Sequence, residues 1–146
     1  MNSIYLYRIA RYLFIYKVPF IPKLIYFFVF LIYNSSIPYS CSIGKGTKFG
    51  YGGMGVVIHA RARIGSNCII SQQVTIGGRS RSTQVPVIGD NVYIGAGAKI
   101  LGDVTIGSGS VIGANAVVIS DVPSRSIVVG VPAHVVKTGI NVGDYI

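Results

Sequence analysis

Two hydrophobic rhythms run along this chain, and one gives way to the other near residue 35. In the stretch 4–33, IYLYRIARYLFIYKVPFIPKLIYFFVFLIY, the positions Leu6, Ile9, Ala10 and Leu13 fall at helical spacing, with Arg8 and Arg11 off that stripe. Pro19 and Pro22 interrupt the pattern, and a second apolar run, LIYFFVFLIY, follows. Two short helices joined at the prolines are expected, within a segment 1–35. From residue 58 the rhythm changes to six: Ile58, Ile64, Ile70, Ile76, Ile88, Ile94, Ile100, Ile106, Ile112 and Val118. Four residues after most of these stands a small side chain, such as Ala62, Cys68, Ala98 or Ala116, and the residue after the aliphatic is commonly glycine.

A period of six held in one phase from 58 to 118 means short strands stacked coil on coil. Each hexad supplies one strand and one turn, and three hexads close a triangular coil. The aliphatic fills the interior and the small residue fits the corner beside it. Backbone hydrogen bonds run along the coil axis, so only the ends need capping.

Two departures break the rhythm. Where an aliphatic is due at position 82 stands Ser82, inside GGRSRSTQVPV, a polar stretch that is expected to loop out over 77–87. Upstream, Ile43 and Phe49 keep the step of six, but Phe49 and Ile58 lie nine apart, across GYGGMGVV. His59 lies between the two irregularities, the kind of place where a repeat scaffold carries function. The expected organisation is a helical segment 1–35, a repeat domain 36–137 with its extruded loop 77–87, and a tail 138–146.

Charge narrows the choice of partners. Thirteen Lys and Arg face four Asp and Glu, a net charge of +9, and no acid precedes Asp90. Such a field favours phosphorylated cofactors or acidic lipid surfaces. Nucleic acid is not expected, because no recognition motif accompanies the charge. Nineteen glycines without a triplet period exclude collagen. Cys41 and Cys68 show neither metal spacing nor a disulfide framework; Cys68 falls on an inward position and reads as a packed thiol.

Residues 4–33 do not read as a secretory signal, being interrupted by Lys17, Lys23 and two prolines. The second apolar run is well short of the roughly 20 residues that span a bilayer. Two readings stand: the helices pack on the domain or on a neighbouring subunit, or a tyrosine-rich, basic, apolar pair lies on the inner face of a membrane. The expected location is cytoplasmic, with peripheral membrane contact under the second reading.

The stretch VIGDNVYIGAGAKILGDVTIGSGSVIGANAVV, followed by VVGVPAHVVK, resembles the hexapeptide-repeat acyltransferases. Within that family GVVIHARARIGSNCIISQQVTIGGRS is similar to the serine acetyltransferase branch, including its short relatives in polysaccharide biosynthesis. The resemblance covers about residues 36–137, and residues 1–35 resemble only the short relatives. It implies an all-β, left-handed parallel β-helix, a homotrimer, acetyl-CoA as donor without a metal, and active sites in clefts between subunits.

The sequence also departs from that branch. Tyr51 and Gly52 stand where serine acetyltransferases carry an Asp-His pair, and no second histidine occurs near Val85. The large helical N-terminal domain of those enzymes has no counterpart in these residues. The match of YGG-x-GVVIH to the short relatives, from Tyr51 to His59, points to a hydroxyl of a sugar or polysaccharide precursor as acceptor. The alternatives are serine itself, or a non-catalytic β-helix that binds or scaffolds. A zinc enzyme of the γ-carbonic anhydrase kind needs three histidines, and the chain has two, His59 and His134.

Acetyl transfer to an alcohol needs a base for the hydroxyl proton, a donor for the developing oxyanion and a hold on the CoA. His59 follows the inward Ile58, so alternation points it outward, and it is the candidate base. Asp90, Asp103, Tyr51, a backbone carbonyl or a neighbouring subunit are the candidates to orient it. Gly77 and Gly78 are candidate oxyanion donors through their backbone N–H groups. The resemblance places Ala96 and Ala114 along the CoA path; Lys99, Lys137, Arg79 and Arg81 are candidate phosphate partners. His134 has at most a peripheral part there.

Overall fold

The computed structural model describes residues 1–146. The period-six residues form two- and three-residue strands that stack in parallel on three faces. One face carries Ser42–Ile43, Arg63–Ile64, Val87–Ile88 and Thr105–Ile106. The second carries Lys48–Phe49, Ile69–Ile70, Tyr93–Ile94, Val111–Ile112 and Ser126–Gly130. The third carries Val57–Ile58, Thr75–Gly77, Lys99–Leu101 and Val117–Val118. Ladder partners are 18 residues apart in a regular coil, as Val87 and Thr105 are. The short irregularity widens that to 21 between Ser42 and Arg63, and the extruded stretch widens it to 24 between Thr75 and Lys99.

The inward aliphatics and their small corner partners are buried throughout, from Ile58 and Ala62 to Val118 and Val122. Corner geometry explains the glycine after the aliphatic: a Cβ on Gly95 would stand 2.6 Å from the Ala114 nitrogen of the next coil. Other corners use asparagine in the left-handed region, at Asn67, Asn91 and Asn115.

The helices form where the prolines allow, α1 over Ser3–Ile15 and α2 over Ile21–Tyr33, with Pro22 in the first turn of α2. The buried stripe of α1 is Ile4, Tyr7 and Ala10, rather than Leu6, Ile9 and Leu13. Arg8 and Arg11 flank that buried face because they cap the open end of the coil. Arg8 donates to the Ile43 and Gly44 carbonyls, and Arg11 to those of Tyr39 and Ser40. Asn2 Nδ2 donates to the Phe49 carbonyl and the Tyr7 hydroxyl to that of Cys41. These first-coil carbonyls have no preceding coil to pair with, and the polar side chains of α1 and its N-cap satisfy them. At the other end Ala133–Thr138 folds back antiparallel on Ser126–Gly130.

Candidate functional site

Each corner of the coil stacks residues from distant parts of the sequence into one edge. The corner after Val57–Ile58 begins with His59, whose N–H donates to the Ile76 carbonyl of the next coil. The imidazole is half-buried, and a Cβ on Gly78 would lie 3.9 Å from its Cδ2. Gly77 continues the strand beneath, its carbonyl accepting from Gly102 N–H. The N–H of Gly78, beside the ring, has no acceptor within the protein. His59 and the Gly77–Gly78 backbone therefore share one edge.

The group that orients the ring is local. The Arg61 backbone N–H donates to His59 Nδ1 at 3.1 Å, inside a turn closed by Ala62 N–H on the His59 carbonyl. With the Nδ1 lone pair so engaged, the neutral ring carries its proton on Nε2. None of the carboxylates or tyrosines named from the sequence does this. Asp90 accepts from Ser66 N–H on another edge, and Tyr51 lies across the third face. The Arg61 guanidinium donates to the Thr83 carbonyl at 2.8 Å, tying the extruded stretch back to the His59 edge. That stretch is 78–86, with Gly77 and Val87 held in strands and Arg79 and Arg81 exposed on it.

The opposite edge of the third face stacks Met54, Gln72, Ala96 and Ala114, joined through Gln73 N–H to the Met54 carbonyl, Gly97 N–H to Gln72, and Asn115 N–H to Ala96. Small side chains at Ala96 and Ala114 leave this edge shallow. Lys99 lies beside it, its ammonium donating to the Gln73 and Gly97 carbonyls at 2.7 and 2.9 Å. At the top of the edge a cleft of about 230 Å³ is lined by Tyr33, Asn34, Tyr51, Met54, Gly55, Gln72 and Gln73. Tyr51 is 80 % exposed there and, with Gly52, adopts left-handed backbone (φ 48° and 72°). No charged side chain lines this cleft. Its amides come from the adjacent Gln72 and Gln73 and from Asn34 at the end of α2, far apart in sequence, so spacing gives no sign of their meeting.

Lys137 and His134 lie on the second face, on Ala133–Thr138, with the Lys137 ammonium on the Tyr145 hydroxyl at 3.1 Å. The two histidines thus sit on different faces, and no cluster of three His, Cys, Asp or Glu forms. Burial pushes the Cys41 thiol up to about 12 and raises that of Cys68. Both are inert, packed thiols.

Comparison with known proteins fits this geometry. Residues 86–120 match the bacterial transferase hexapeptide family (six repeats). The chain is 38 % identical over 77 residues to serine acetyltransferase of Synechococcus elongatus, covering 53 % of this chain and 31 % of that one. Soybean serine acetyltransferase complexed with serine superposes with a TM-score of 0.84 at 37 % identity, over 92 % of this chain and 56 % of that one. Serine acetyltransferase from Brucella abortus in complex with coenzyme A gives 0.87 at 32 % identity, over 94 % and 56 %. The chain spans about a third to just over half the length of these relatives. The coil has the left-handed sense of those β-helices.

Proposed function

Starting from a hexapeptide-repeat protein that is serine acetyltransferase-like in sequence and fold, we propose that the chain is an acetyl-CoA-dependent O-acetyltransferase. The observation that carries this reading is the pairing, across one face, of an edge bearing a histidine beside an unpaired backbone N–H with an edge of small side chains. A donor of acetyl groups is supported by the coenzyme A-bound relatives. Bound acetyl-CoA supplies an activated acyl carbon. Ala96 and Ala114 leave room for its extended arm, and Lys99, Lys137, Arg79 and Arg81 offer charge to its phosphates.

His59 takes the proton as the acceptor hydroxyl attacks, and the proton passes on to the departing thiolate. Gly78 N–H, with Gly77, faces the oxygen on which charge develops. The Arg61 contact leaves the N–H of the neutral ring at Nε2, so Nε2 serves as base only once an acceptor displaces Arg61 N–H from Nδ1 or the ring turns over. A neighbouring chain is the natural source. On this reading the His59 edge of one chain faces the alanine edge of the next, and three copies make three shared sites.

For the acceptor, the relatives favour serine, one being complexed with it. A second reading, a neutral sugar hydroxyl, is favoured by the cleft at Tyr51. It offers two tyrosine rings and the amides of Asn34, Gln72 and Gln73, with no charged side chain to meet an amino acid's carboxylate and ammonium.

Thiol release from acetyl-CoA, with serine and a panel of simple sugars as acceptors, tests all of this. His59→Ala is expected to lose roughly 10²- to 10⁴-fold in kcat with the KM for acetyl-CoA little changed. Equal turnover in the variant removes His59 from the mechanism, and an absence of turnover with every acceptor favours a scaffold. Mixing His59→Ala with Ala96→Trp is expected to restore activity that neither has alone, because a mixed oligomer rebuilds an intact pair of edges. No recovery on mixing would place the whole site on one chain.

A further inference from the structure

Docking α1 and α2 on the coil leaves most of their surface uncovered. Fourteen large apolar side chains between Tyr5 and Ile32 stand exposed. On α2 the stripe Ile21, Leu24, Phe28 and Leu31 faces outward at helical spacing, opposite the buried Pro22, Val29 and Tyr33. On α1 the outward stripe is Tyr5, Ile9, Tyr12 and Tyr16, the last two rings 4.6 Å apart. The link between the helices projects a third apolar element: Phe20 is 86 % exposed, with Lys17 and Phe20 both held at positive φ (57° and 63°).

We infer that this helical pair docks on the surface of an anionic lipid bilayer, lying in its interface rather than crossing it. Three observations select that occupant. First, neither helix is long and apolar enough to cross a membrane, and each of thirteen residues is only about 20 Å long. Second, the apolar surface is graded: the exposed large apolar side chains of α2 are all phenylalanine, leucine and isoleucine, whereas tyrosines stand among the isoleucines and phenylalanine of α1. Hydrocarbon and headgroup levels call for that division.

Third, the charges are of one sign. No acidic residue occurs in the first 89 positions, and the exposed cations nearest the apolar surface are Lys17, in the link, and Lys23, in the first turn of α2. Arg8 and Arg11 are engaged by the first coil's carbonyls and face the coil instead. A patch of this size on a soluble chain marks an interaction surface, and its lysines complement a negative lipid surface. The inference does not depend on the acetyltransferase reading.

Co-sedimentation of the full chain with phosphatidylcholine vesicles, with and without phosphatidylglycerol, tests it. Phosphatidylglycerol is expected to raise the bound fraction about tenfold, and added salt to reduce it. Phe28→Glu with Leu31→Glu is expected to abolish binding while circular dichroism and the denaturant midpoint stay as in the parent. Phe20→Ser, at the exposed tip, provides a milder variant with the same direction of effect. Lys17→Glu with Lys23→Glu is expected to remove only the preference for phosphatidylglycerol. Binding to neither vesicle, or binding indifferent to phosphatidylglycerol, overturns the inference. So does a parent chain that ignores vesicles and self-associates through a contact that Phe28→Glu breaks, which would assign the face to a second copy.

Discussion

In the coil, every large aliphatic of the repeat faces its neighbours above and below; in the helical pair, apolar side chains face both the coil and the outside. The inward column of the coil is thus complete within one chain. The pair is complete only on the side that caps the first coil. The difference teaches that a cap is fastened by hydrogen bonds at particular carbonyls, whereas a column is held by uniform packing along its length.

The sharpest test lies within the column. Ile94, fully buried between Ile70 and Ile112, is expected to cost about 2–5 kcal/mol when changed to Ala, seen as a lower denaturant midpoint at unchanged slope. Arg8→Ala should cost less, about 1–3 kcal/mol, because it frees two carbonyls of the first coil. That loss should be local: Cys41, under α1, labels faster with maleimide while Cys68, inside the coil, does not. Equal acceleration at both thiols would mean that coil and cap unfold as one unit.

A pH titration separates the two regions more gently. Burial holds the Cys41 thiol at about 12 in the folded chain, against about 9 unfolded. Its contribution to stability is therefore fully present below about pH 9 and declines as pH rises towards about 12, because the unfolded chain ionises first. Cys41→Ala should flatten that part of the decline in denaturation midpoints. The smallest effect is expected outside: Phe28→Ser should change stability by no more than about 0.5 kcal/mol. A loss there as large as at Ile94 would mean that the outer face is covered within the folded unit itself.

Much of this was legible in the sequence. Inward positions from Ile58 to Val118 follow directly from the period of six, because strand and corner lengths leave a coil no other phase. The helices were legible as helices, but not their buried side. With tyrosine, leucine and isoleucine all round α1, periodicity allows two stripes, and the choice falls to Ile4 and Tyr7 because Arg8 and Arg11 must reach the first-coil carbonyls.

For the site, His59 and Gly78 could be placed on one edge by counting residues from the repeat. The Nδ1 partner could not, since the Arg61 N–H reaches it through a turn that leaves no mark in side-chain pattern. Neither could the amide-lined cleft, where Asn34 comes from the end of α2 and Gln72 from the coil.

Across the extruded stretch, partners on all three faces sit 24 residues apart, and the ladder returns to 18 beyond it with every aliphatic still above its neighbour. Extra residues inserted at a corner leave later strands in phase, whereas one inserted within a strand would turn all later side chains to the opposite surface. The corner at 78–86 is therefore a grafting port. Its length and chemistry can drift, or be exchanged outright, while the scaffold keeps step, so that new side chains can be set beside the His59 edge without redesigning the fold.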